Sequence, residues 1–204
     1  MPKRHLEFLV EEPSMEVFLQ ALLPKLFPAT EPIIHLHQGK PALLRRLEQR
    51  LRGYANWLPE NYRIVVVVDR DCEACRELKR RLEANCRKAG LQSKSAATGG
   101  AWQVATVIAV EELEAWYFGD WPAVRAAYPK VPPNIPKRQG YRHPDAIAGG
   151  TKQAFERILQ SKGYFKTGLR QREIAEAIGP HIDPARNRSP SFRFFHRTIL
   201  AAGP

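Results

Sequence analysis

Three acidic residues stand where this sequence can do chemistry: Glu11, Asp69 and Asp71. Each follows an apolar, strand-like run, Leu6-Glu-Phe-Leu-Val10 before Glu11 and Ile64-Val-Val-Val-Val68 before Asp69-Arg-Asp71. Alternate residues at a strand end share a face, so the two aspartates can reach one edge together. A third run, Ala105-Thr-Val-Ile-Ala-Val110, ends in Glu111-Glu112, with Glu114 one turn further on. Carboxylates gathered at one edge repel each other unless a cation neutralises them. Hard oxygen donors select Mg²⁺ or Mn²⁺. An ion held there would activate water and take up charge on a phosphate.

These acids work together only if the strands lie side by side, and the pattern between them predicts that. After the first strand, Ser14 is placed to cap a helix over residues 14–26, with Val17, Phe18, Ala21, Leu22 and Leu26 at helical spacing and Pro28 ending it. Ile33 to His37 reads as a second strand. Pro41 can occupy the first turn of a second helix, whose apolar face is Leu43, Leu44, Leu47 and Leu51 and whose other face is basic. The Val-rich run has no polar alternation, as expected of a central parallel strand covered on both faces. A charged helix follows it to about Lys88, closed by Gly90. Glu111-Glu-Leu-Glu-Ala-Trp116 is expected to start a further helix, with Glu114 one turn into it. The β-α-β-α-β-α-β-α order predicts an α/β fold with a mainly parallel sheet flanked by helices. In such sheets ligands bind beyond the carboxyl ends of the strands.

From Trp121 the texture changes. Five prolines and the Gly149-Gly150 pair mark residues 129–150 as a long ordered loop. Short helices are expected near 151–161, 170–178 and 190–201, with Ser189-Pro-Ser-Phe192 capping the last. The organisation expected is an α/β domain over 1–120 and a basic, mostly helical extension over 121–204 packed on it. Charge divides in the same place. Residues 1–120 carry 17 basic and 16 acidic residues, a net of +1, and residues 121–204 carry 15 and 5, a net of +10. An extension that basic is expected to face a polyanion, nucleic acid above all. Lys152, Arg186, Arg188, Arg193 and Arg197 are the candidate phosphate contacts, since arginine forks match phosphate geometry.

Other classes recede. No apolar run approaches the roughly 18 residues that span a bilayer, so no membrane role is expected. The N-terminal residues show no secretory pattern, and three cysteines make no disulfide framework. A cytoplasmic setting is expected. Cys72-Glu-Ala-Cys75 has redox spacing, but Asp71, Glu73 and Glu77 surround it with the wrong charge for a reactive thiolate. His35 and His37 read as half-buried histidines with hydrogen-bond partners. An aspartyl-phosphate mechanism would want Asp-x-Asp after the first strand and Thr or Val at position 73, where this chain has Glu73.

Val10-Glu-Glu-Pro-Ser-Met-Glu16 followed by Val-Val-Asp69-Arg-Asp71 resembles the Toprim pattern, a Glu after the first strand and Asp-x-Asp after a later one. Gly39-Lys-Pro41, Arg52-Gly-Tyr54, Glu112-Leu-Glu-Ala-Trp116 and Asp183-Pro-Ala-Arg-Asn-Arg-Ser189 resemble the Toprim-like family catalogued as domain of unknown function 4276, over nearly the whole chain. The resemblance implies a Toprim-like sheet and a nuclease-like site. Glu11 would be a metal ligand or general acid/base, Asp69 and Asp71 would hold Mg²⁺, and Glu16, Glu112 and Glu114 would be the further acids. Toprim proteins often pair with ATPases, and this chain has no Gly-x-x-x-x-Gly-Lys-Ser/Thr loop of its own. An ATPase encoded nearby, in a phage-defence system, is the partner the resemblance implies. Two positions depart from the Toprim pattern. Glu12 stands where Gly is usual, and Met15 stands where many nuclease members carry a second Glu. The expectation is a Mg²⁺-dependent phosphodiesterase on DNA or RNA. Its rival is a non-catalytic nucleic-acid-binding or regulatory partner of an ATPase, which the two departures favour.

Overall fold

The computed structural model describes residues 5–98 and 101–202. Four strands, β1 (His5–Val10), β2 (Ile33–Leu36), β3 (Tyr62–Asp69) and β4 (Val104–Ala109), form one all-parallel sheet in the order β2-β1-β3-β4. The connecting helices are α1 (Pro13–Leu26), α2 (Lys40–Ala55) and α3 (Cys75–Lys88). After β4 come α4 (Glu114–Gly119), α5 (Trp121–Ala127), α6 (Thr151–Ser161), α7 (Gln171–Ile178) and α8 (Pro190–Ala202). The fold is α/β, a parallel sheet flanked by helices and followed by a helical C-terminal segment, as the pattern predicted.

The Val-rich run explains the layering. Val65 and Val67 face one way, into a core shared with α1 and the helices after β4. Ile64, Val66 and Val68 face the other way, against α2 and α3. Only a strand with apolar residues on both faces can sit between two such layers. On α2, Leu43, Leu47 and Leu51 recur every four residues and are buried, so one helical stripe covers the sheet. The segment after residue 120 shares the first core. Trp116 stacks on Phe195 at 4.9 Å and meets Phe192 edge-on, tying α4 to α8, and α7 packs along α1.

Several end signals hold. Gly90, with φ +77°, donates its N–H to Arg87 O at 3.0 Å while Leu91 N–H reaches Cys86 O at 3.1 Å, closing α3. Ser189 Oγ accepts the Phe192 N–H at 3.1 Å and caps α8. The 129–150 segment is ordered by buried Val131, Ile135 and Ile147, with one short 3₁₀ turn over Ile135–Lys137. Two expectations need correction. Ser14 does not cap α1. Pro13, whose fixed φ suits the first turn, begins the helix and leaves Ser14 buried inside it. The helix expected to start at Glu111 begins only at Glu114, because Glu111 adopts φ +65°, outside helical space.

Candidate metal centre

The register decides where the acids meet. Val10 pairs with Val67 and Asp69 pairs with Ala109, so the carboxyl ends of β1, β3 and β4 finish side by side. Glu11, one residue past β1, is buried, and its Oε1 accepts the backbone N–H of Asp69. Asp69, the last residue of β3, is buried, and its Oδ1 has no hydrogen-bond partner among the described residues. Glu114 projects from the first turn of α4 and is buried. Its Oε1 accepts a long bond from Gln171 at 3.4 Å, and its Oε2 has none. Tyr117, one turn further along α4, is also buried with an unpartnered hydroxyl.

Electrostatics tie these groups together. Burial, with Glu11, Glu114, Glu12 and Asp71 adding repulsion, holds the Asp69 carboxyl well above the usual range. Burial pushes Glu11 up to about 7, and the Asp69 N–H and Lys40 only partly offset it. Burial and the charge of Glu112 push Glu114 to about 7. Glu112 is raised too, first by burial and further by Asp71 and Glu12, while Lys152 opposes the shift.

Asp71 reaches the cluster differently from Asp69. It adopts φ +52°, a left-handed conformation that Asp tolerates better than most side chains. Its N–H bonds Glu111 O at 2.9 Å. Its carboxylate is about half exposed and takes the ammonium of Lys40, which also lies 3.4 Å from Glu73. Lys40 is itself buried at the start of α2, held there because Gly39, with φ +84°, turns the chain and donates its N–H to Glu11 O at 3.0 Å. Asp71 therefore does not cap the next helix, which starts at Cys75 behind Ala74.

The opposite wall belongs to the basic segment. Glu111 Oε2 accepts the Thr151 N–H at 2.9 Å and Glu112 Oε2 accepts the Lys152 N–H at 3.3 Å, so two acids cover the positive end of α6. Gly149 and Gly150, both at positive φ, make the turn that aims this helix end at the strand edge. A cavity of about 460 Å³ lies between, lined by Arg70, Asp71, Cys72, Glu111, Thr151 and Gln153 among others.

The chain matches a family described as Domain of unknown function (DUF4276) over residues 10–200. The chain belongs to the DUF4276 family. No curated protein and no solved structure shows significant similarity to it.

The donors of this DUF4276 protein fit a hard divalent cation. They are buried carboxylates, and Asp69 Oδ1 and Glu114 Oε2 have no partner. Among the described residues, no three carboxylate, histidine or cysteine groups form a ready-made metal site. With Asp71 turned to Lys40, loading the centre requires that ion pair to open. Lys40→Met removes the competing cation and is expected to tighten Mn²⁺ binding roughly tenfold in calorimetry, the effect of lifting one nearby like charge from a bound cation. Unchanged affinity would take Lys40 out of the site.

The remaining candidates separate. Glu16 lies half-buried in the first turn of α1. Lys152 stands at the centre, its charge acting on both Glu112 and Glu114. Arg193 and Arg197 are exposed on α8. Arg186 is gripped by fully buried Asp120, Nε to Oδ1 at 2.6 Å and Nη2 to Oδ2 at 3.0 Å. Arg186→Ala would leave that carboxylate buried with only the Asp183 N–H as partner among the described residues, and is expected to cost about 2 kcal/mol in urea unfolding. A silent change would make Arg186 a surface cation.

His35 bonds Glu7 at 2.5 Å and His37 bonds Val10 O at 3.2 Å, as expected of half-buried histidines. Cys72 and Cys75 are exposed and unbridged, and Cys86 is buried with its thiol pushed up to about 12. Lys40, Tyr117 and Thr151 were not predicted as site residues. For Lys40 and Thr151 the available signal was a glycine just before each one, where a tight turn brings a helix start to the strand edge.

Proposed function

We propose that this DUF4276 protein is a Mg²⁺- or Mn²⁺-dependent phosphodiesterase, a nuclease on DNA or RNA related to the Toprim nucleases. The observation that carries the reading is the convergence of Glu11, Asp69 and Glu114, all buried and all raised, at the carboxyl ends of parallel strands. Charge of that density needs a cation. Asp69 and Asp71 would hold it, with Glu11, Glu112 and Glu114 completing or supporting the set. The ion when bound would supply Lewis-acid chemistry, activating water and neutralising charge on a phosphate. Glu11, with a carboxyl at about 7, is suited to take or give a proton at Oε2 near neutral pH. Met15 is packed in the core, so an acid there would be buried among Phe18 and Leu19. Glu114 takes over the role of second acid from the other side. Lys152 and the exposed Arg188, Arg193 and Arg197 would hold the phosphate backbone.

The site also supports a second reading, a non-catalytic nucleic-acid-binding or regulatory partner of an ATPase. The favouring observation is Lys40, which already neutralises Asp71. In both readings the chain works as a component of an ATPase-linked system in the cytoplasm, one directed against phage. No helix among the described residues is long and apolar enough to cross a membrane. The deciding experiment is cleavage of single- and double-stranded DNA and RNA with Mg²⁺, Mn²⁺ or EDTA. Metal-dependent products lost in Asp69→Ala and Asp71→Ala support the nuclease. Full activity in those variants ends it. Tight metal-independent binding without products selects the second reading.

A further inference from the structure

A second cavity, of about 530 Å³, lies entirely within the part of the chain that follows the acidic centre, and none of its walls belongs to that centre. Its size is that of a small-molecule site. Four cations line it, Arg125, Lys137, Arg186 and Arg188, and no carboxylate does. Arg186 is neutralised and fixed from behind by Asp120, which is fully buried. The side chains of Arg125, Lys137 and Arg188 have no ion-pair partner among the described residues. Three uncompensated charges around one concavity repel each other, and a bound anion relieves that repulsion. The floor is apolar. Phe118 and Trp121, both nearly fully buried, stack at 5.4 Å and 13° beneath it, and Pro122, Pro133 and Pro136 supply its more exposed apolar surface. Trp121 is held by its Nε1–H on Pro132 O at 2.7 Å.

We propose that this cavity is a recognition site for a phosphorylated nucleotide unit, either a free nucleotide or the phosphorylated end of a strand. Inorganic phosphate would use the cations and leave the apolar floor idle. A fatty acid or hydrophobic peptide would use the floor and leave three cations unpaired. A nucleotide uses both, with guanidinium forks on phosphate oxygens and apolar surface under the base or sugar. Asp120 already orders Arg186, and its Nη1, 3.7 Å from Asp183 Oδ2, is the nitrogen left to meet a phosphate at little entropic cost. This inference does not depend on metal binding at the strand ends.

The test is calorimetric titration of the full chain in EDTA. The probes are a nucleoside monophosphate, its unphosphorylated nucleoside, orthophosphate, and a short oligonucleotide with and without a 5′-phosphate. The monophosphate or the phosphorylated oligonucleotide is expected to bind at least tenfold more tightly than its unphosphorylated counterpart and than orthophosphate. The oligonucleotide binding alone identifies a strand end as the source. Lys137→Ala/Arg188→Ala, two exposed positions, is expected to lose that preference, while Arg87→Ala on α3 keeps it. Equal binding by the double variant, equal loss in Arg87→Ala, or an acidic peptide competing as well as the nucleotide would overturn the site. Nucleotide binding with no cleavage of any substrate retires the nuclease and keeps this site. Metal-dependent cleavage with no nucleotide preference does the reverse.

Discussion

Asp69→Asn is expected to lose about three orders of magnitude of metal-dependent cleavage and, at pH 8 without metal, to unfold at a higher temperature than the parent protein. The two effects have one cause. Asp69 ends β3 with one carboxylate oxygen unpartnered, beside Glu11 and Glu114. In the metal-free fold its charge is buried and repelled, so the neutral amide relieves the fold. In the proposed nuclease the same charge would be a ligand that holds the ion. Three decades correspond to about 4 kcal/mol of transition-state stabilisation, the order expected when a metal is lost from a phosphoryl site. The checks are a cleavage time course with Mn²⁺ and a thermal melt in EDTA. Lower activity with lower stability would make Asp69 a structural residue. Retained activity would take it out of the reaction.

What the sequence made legible here follows a rule about range. β3 could be read because burial on both faces leaves no room for polar alternation over Ile64–Val68, and β1 and β4 because a single polar residue, Glu7 or Thr106, interrupts each apolar run. Ends set by nearby backbone bonds were also legible, as at Gly90 and Ser189. Glu111 was misread because its partner is the start of α6, 40 residues on, whereas Ser14 was misread although the deciding residue, Pro13, is its neighbour. The acids Glu11, Asp69 and Asp71 could be found because strand ends in a parallel sheet face one edge. The side chains that meet them across the site could not. Lys40 arrives from α2 and Thr151 from a helix 40 residues beyond Glu111 in sequence. Tyr117 looked like any aromatic in a core, and only its unpartnered hydroxyl near Asp69 and Glu114 distinguishes it. The basic extension was visible as a charge count. Its division into Arg186 bound to buried Asp120 and Arg188 left exposed depends on which carboxylate folds beneath it.

The second large effect is on stability against pH. Glu11 stands at about 7 in the folded chain against the 4.5 usual for a solvated glutamate. A carboxyl with a raised folded value binds its proton more tightly folded than unfolded. Between about pH 4.5 and 7 the folded state therefore holds more protons, and stability falls as pH rises through that window. Glu114, also at about 7, acts in the same window and with the same sign. Glu7 and Glu83 are lowered instead, Glu7 by Tyr54 and His35 and Glu83 by Ser93 and Thr106, against the cost of burial. Their contributions are lost only as pH falls below the usual carboxylate range. The metal-free protein should thus be most stable mildly acidic, near pH 5, and lose stability toward pH 8. For Glu11 alone the shift amounts to about 3 kcal/mol. Glu11→Gln keeps an oxygen for the Asp69 N–H and removes the charge, so it is expected to gain about 2 kcal/mol at pH 8 and nearly nothing at pH 5. Saturating Mg²⁺ should flatten the parent's profile, because a bound cation takes over the work that protons do at low pH. Urea melts from pH 5 to 8, with Mg²⁺ or EDTA, measure all three. If the parent is instead most stable at pH 8 without metal, the carboxylates are already compensated by Lys40 and Lys152, and the case for a cation at the strand ends falls with it.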